Sequence, residues 1–99
     1  MYGLINRFVA VPGKRDELAS CMLQDVGVLP GCRSFVVARD PKHPDALWIT
    51  EVWDSEAAWQ ASLEMPGVKA SIDKAMPLIA SFGEPAVTEP IGGIGLQTG

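Results

Sequence analysis

The chain has 99 residues, 47% of them hydrophobic and 20% charged, and carries a formal net charge of −4. This length fits one domain rather than two, and this composition fits a packed globule rather than a disordered chain. Its eight basic residues are scattered, whereas a nucleic-acid partner demands a basic stripe to neutralise phosphates, so no nucleic acid is expected.

No apolar run approaches the ~20 residues that cross a bilayer. The segment from Met1 to Val11 is interrupted by Asn6 and Arg7 and lacks a signal-peptide cleavage pattern. Both points lead to the expectation of a cytoplasmic protein without a membrane partner. Cys21 and Cys32 are too few for a disulfide framework and have no metal-ligand spacing, so two reduced, mostly buried thiols and no metal are expected.

Leu4 to Val11 reads as a strand, with Leu4, Asn6, Phe8 and Ala10 on one face and Ile5, Arg7, Val9 and Val11 on the other. Pro12-Gly13 ends it. A helix starts at Lys14, with Asp16 and Glu17 suiting the positive end of its dipole. Leu18, Cys21, Met22 and Val26 fall on one helical stripe, and Gly27 with Pro30-Gly31 closes it. Cys32 to Arg39 is the second strand. Asp40 to Asp45, with two prolines, is a polar turn that makes the third strand, Ala46 to Trp53, its hairpin partner.

Asp54 is a suitable N-cap for a helix over Ser55 to Glu64, which presents Ala58, Ala61, Ser62 and Met65 on one side, with Trp59 and Leu63 adjacent. Pro66-Gly67 breaks that helix, and Pro66 opens the next, which runs to about Met76. Ile79 to Glu89 is the last strand, where Pro85 implies an edge position or a bulge. The domain therefore spans 1–89. Residues 90–99, with four glycines, form a tail or loosely attached arm.

The order β-α-β-β-α-α-β is that of the ferredoxin-like split βαβ fold, an α+β arrangement of one antiparallel sheet with helices on one face. Helices cover only one side of such a sheet, yet the strands are apolar on both. Ile5, Val9, Val36, Trp48 and Val52 oppose the helix-facing set. Burial of such a side chain is worth roughly 1.5–3 kcal/mol. A second copy of the chain is therefore expected to pack on this face as a homodimer, with Trp48 in the contact.

Three segments then form a pattern: Leu29-Pro30-Gly31-Cys32-Arg33-Ser34-Phe35, Asp40-Pro41, and Glu51-Val52-Trp53-Asp54-Ser55-Glu56-Ala57. In order and spacing they resemble the antibiotic biosynthesis monooxygenase family, over about residues 2 to 89. The resemblance implies a homodimeric ferredoxin-like barrel. Among its characterised members it implies oxidation of polycyclic phenols or quinols by O2 without metal or flavin, while some relatives degrade haem and others have no known activity. Trp53 matches a pocket tryptophan of the aromatic-polyketide oxygenases. Trp59 stands where those enzymes have a tyrosine, and Ile49 where they have an asparagine. Asn6 matches an asparagine of the haem-degrading branch, whose pocket tryptophan falls at Ser62 and whose iron-ligating histidine falls at Ile72. Quinol-oxidising relatives often carry a histidine where Ser62 stands.

The candidate catalytic residues are thus Asn6 and Trp53, and the candidate substrate-binding residues are Trp59, Ser62, Phe8, Met65 and Ile72. Each has a plainer alternative. Asn6 orients a substrate oxygen, or is an amide satisfied by backbone or water. Trp53 stacks a flat ring, or closes the strand–helix junction, and Trp59 shares those alternatives. Ser62 donates into a pocket, or bonds its own helix carbonyl. His43, the sole histidine, sits between prolines in a turn and reads as solvated. Arg7 and Glu51 read most simply as an ion pair or hydrogen bond near the interface. The expected function is a cofactor-independent monooxygenase of a small phenolic, quinol or polycyclic aromatic compound. The alternative is a non-catalytic dimeric domain of the same fold that binds a small molecule or haem.

Overall fold

The computed structural model describes residues 1–24 and 29–96. In chain order the elements are β1 (Tyr2–Ala10), α1 (Arg15–Met22), β2 (Cys32–Arg39), β3 (Ala46–Trp53), α2 (Glu56–Ser62), α3 (Pro66–Ala75), a 3-10 turn (Met76–Leu78), β4 (Ile79–Phe82) and β5 (Ala86–Thr88). The sheet runs β2-β3-β1-β4 and is antiparallel throughout, with β5 also paired to β1. This is the ferredoxin-like α+β fold that the element order implies.

Alternation along each strand sets the two faces. Leu4 pairs with Glu51, Asn6 with Ile49 and Phe8 with Leu47, so these residues share the helix-facing side. Phe35 pairs with Glu51 and Val37 with Ile49, which extends that side onto β2. The core beneath the helices is Ala10, Leu18, Leu47, Ile49 and Ala75, with Cys21, Met22, Phe8 and Phe35 packed around it. On the opposite side Ile5, Val36 and Trp48 remain 37%, 51% and 40% exposed in the single chain.

Several local expectations change. The last strand is two short strands on one edge of β1. Between them Gly83 donates its N–H to the Arg7 carbonyl at 2.6 Å, and a Cβ there would stand 2.9 Å from that oxygen. The close approach suits glycine and leaves Pro85 in the gap, where no ladder bond is lost. The N-cap of α2 is Ser55, whose Oγ accepts from the Ala58 N–H at 3.1 Å, and not Asp54, whose carboxylate is taken by Arg33. Ala61 is exposed rather than inward. Helix α1 begins at Arg15, one residue after Lys14. Val26 and Gly27, expected on and after that helix, lie outside the described residues.

Gly31 has φ 80° and brings the start of β2 so close to α2 that an added Cβ would lie 2.8 Å from Ala58 Cβ. Positive φ and lack of space both call for glycine there. Asp54 donates its backbone N–H to the Gly31 carbonyl at 2.8 Å, and this ties the β3–α2 junction to the same point. Beyond β5, Ile91 and Ile94 are fully exposed, and no described helix is long and apolar enough to cross a membrane.

Candidate active site

A cavity of about 270 Å³ lies between the helix-facing side of the sheet and the helices. The sheet contributes Phe8, Phe35, Ile49, Glu51 and Trp53, and β4 adds Ile79 and Phe82. Helix α1 contributes Cys21 and Met22, while α2 contributes Trp59 and Ser62. Helix α3 adds Val68, Ser71 and Ile72. Phe8 and Phe82 meet edge to face, with ring centroids 5.2 Å apart, and form one apolar end.

Of the residues expected at a site, Trp53, Trp59, Ser62, Phe8 and Ile72 are brought together in this wall. Asn6 and Met65 are not part of it. Asn6 holds a helix-facing register position opposite Ile49 and is half-buried, but the cavity does not reach it. Met65 lies in the link between α2 and α3, where its backbone carbonyl accepts from Lys69 at 2.9 Å and so starts the latter helix. The Ser62 hydroxyl is spent locally, since it donates to the Trp59 carbonyl at 2.6 Å. Trp53 is 1% exposed, so its indole is at once a core element and part of the cavity surface.

The residue that sequence reasoning missed is Glu51. Strict alternation puts it on the face of Ile49 and Trp53, but only the packed structure shows an open space over it. Among the described residues of the cavity wall it is the one carboxylate. The Trp53 Nε1–H donates to Glu51 Oε1 at 3.0 Å. Both side chains leave the same face of β3 two residues apart, so the strand itself aims this bond. Burial pushes the Glu51 carboxyl above its ordinary value, and the Trp53 hydrogen bond only partly opposes that.

Its titratable neighbours are few. Burial also raises the Cys32 thiol, with the Glu51 charge acting in the same direction. The Tyr2 phenol is raised by burial and by the charges of Glu56 and Glu51, and its ring stands 5.6 Å from that of Trp59. No lysine or arginine is among the described residues of the wall. Among the described residues no three of His, Cys, Asp and Glu gather as a metal-binding group.

The polar groups elsewhere do structural work. On the open sheet face Arg7 stacks over Trp48 at 5.7 Å, and both donate to Asp40 Oδ2, at 3.4 and 3.1 Å. Asp40 is held below its ordinary value first by the Lys42 backbone N–H, then by Trp48 and Arg7. The His43 Nδ1 accepts from the Asp45 N–H at 3.2 Å and its carbonyl accepts from Arg15 at 2.9 Å, so it shapes the β2–β3 turn.

Comparison with known proteins places this geometry. Residues 1–74 match the family model described as antibiotic biosynthesis monooxygenase. A crystal structure from Chloroflexus aurantiacus J-10-fl bearing that family name is 49% identical, with a TM-score of 0.93 and coverage of 97% of this chain and 98% of that one. One from Deinococcus radiodurans, also bearing that name, is 24% identical with a TM-score of 0.77 and covers 99% and 100% of the two chains, which speaks to the fold alone. A third, from Nitrosomonas europaea, is 16% identical with a TM-score of 0.76 and coverage of 95% and 99%. No curated protein matches the sequence. Three quarters of the chain fit the family model and nearly all of it superposes on a relative at half identity, so this chain belongs to the antibiotic biosynthesis monooxygenase family.

Proposed function

We propose that the cavity oxidises a small phenolic or quinol compound with O2, without a metal or organic cofactor. The observation that carries this reading is a mostly apolar cavity between sheet and helices, whose described lining includes the indoles of Trp53 and Trp59 and the carboxylate of Glu51. Its volume of about 270 Å³ lies just below the ~300–1,000 Å³ of drug-sized sites and so favours a one- or two-ring molecule over a longer polycycle. Trp53 and Trp59 supply flat apolar surfaces for such a ring.

The chemistry closes without an outside reductant. A hydroquinone and O2 give a hydroxyquinone and water: one oxygen atom bonds to a ring carbon, and the other leaves as water. All four electrons that O2 takes come from the substrate. The protein's part is to exclude water, hold the ring and set its protonation state. Pairing of two chains through the open sheet face belongs to the same proposal, because Ile5, Val36 and Trp48 otherwise stand in water.

The test is oxygen uptake with substituted benzo- and naphthohydroquinones and with small phenols, against enzyme-free controls. Uptake is expected for at least one single- or two-ring compound, and an equivalent of hydroxyquinone should appear. Tight binding without uptake anywhere in the panel would favour a domain that binds such molecules and leaves them intact. That alternative has its own motive in Ile49 and Ser62, since Ile49 offers no polar group and the Ser62 hydroxyl is already engaged.

A further inference from the structure

We propose that Glu51 takes the proton from the substrate's hydroxyl and so makes the electron-rich anion that reacts with O2; this rests on the quinol-oxidising reading above. The O–H bond of the bound phenol or quinol breaks, its electron pair stays on the ring oxygen, and a new O–H bond forms on the carboxylate. The geometry divides the carboxylate's two oxygens. Oε1 accepts from the Trp53 indole at 3.0 Å, which fixes the plane of the group and leaves Oε2 for a ligand in the cavity.

The surroundings suit a base rather than a fixed counter-ion. Among the described residues, the Cys32 thiol on β2 and the Tyr2 phenol on β1 are the titratable groups that feel the Glu51 charge. Across the cavity α1 presents the Cys21 thiol. Helices α2 and α3 present only neutral groups to it, Ser62 and Ser71 among them. Burial makes Glu51 a stronger base than a solvated carboxylate, no cation among the described residues of the wall offsets this, and the gap in proton affinity to a phenol narrows. The aromatic walls hold the ring while the carboxylate meets its edge.

Glu51→Gln is the informative variant, because its amide oxygen still accepts from Trp53 while the side chain cannot take a proton. The expected result is a fall in kcat of about 10²-fold or more with KM within a few-fold. The loss should shrink for halogenated hydroquinones, whose hydroxyls ionise unaided, whereas simple structural damage would slow all substrates alike. A turnover-free readout uses 4-nitrophenol below its solution pKa. Binding to the native protein should shift its absorption toward that of the phenolate, and binding to Glu51→Gln should not.

Equal rates in the two proteins, or a loss independent of substrate acidity, would overturn the role of Glu51 and leave the oxidation reading standing. A phenolate shift confined to the native protein, with no oxygen uptake from any quinol, would do the reverse. No binding of 4-nitrophenol, or the same shift in both proteins, also counts against Glu51.

Discussion

Glu51 and Trp53 are two residues apart on a strand, and this spacing alone turns a recognisable sequence segment into a hydrogen-bonded pair facing one cavity. The pair has a consequence for stability. Burial makes Glu51 harder to ionise in the folded chain than in the unfolded one. Over a window of pH the folded protein therefore keeps a proton that the unfolded chain has lost. The stabilising contribution is complete below the ordinary carboxylate range and is lost as pH rises through the raised folded value. Glu51→Gln cannot titrate, so the variant should gain stability relative to the native protein as pH climbs through that window, with a flat difference on either side. Urea unfolding at a series of pH values measures this, and a difference that ignores pH would refute the raised value.

At the scale of elements, α2 is only seven residues long, too short to persist on its own, and it carries Trp59 and Ser62 to the cavity. Its start depends on the Ser55 cap. Ser55→Ala should cost about 1 kcal/mol, which in a domain of this size lowers Tm by about 4–8 °C; calorimetry showing no change would mean that tertiary packing alone holds the helix. The cap also shows the limit of sequence reading. Asp54 and Ser55 are both good capping residues, and the choice between them was made by Arg33, 21 positions away, which binds the Asp54 carboxylate. Strands β2 and β3 were legible to the residue, because alternation and turn residues are local signals. The break between β4 and β5 was not, because it depends on Gly83 meeting the Arg7 carbonyl. The faces of Asn6 and Glu51 were equally legible from alternation. Which of them borders empty space was not, since a void reflects how sheet and helices pack, and no single segment encodes it.

For the whole molecule, the open sheet face sets the expectation of a two-chain assembly. Val36 is half in water in the single chain, so a lysine there is readily solvated, but it would be trapped between two paired sheets. Removal of such a charge from water costs several kcal/mol. Light scattering should give twice the chain mass for the native protein and the single-chain mass for Val36→Lys; a native mass of one chain would end the dimer proposal. Loss of oxygen uptake in a folded single-chain variant would show that the partner helps shape the cavity.

The strand order has a consequence in time. β1 precedes every other element in the sequence and yet lies inside the sheet, with β3 on one side and β4 and β5 on the other. Phe8 pairs with Leu47 on the first side and with Phe82 on the second. As the chain leaves the ribosome, β1 emerges with both edges bare and keeps one bare until β4 arrives. Pairing across such separations is slow, and an apolar strand with an open edge is prone to join the wrong neighbour. The vulnerable period for this protein is therefore its synthesis, and a chain truncated before β4 should aggregate even though it would hold most of the residues around the cavity.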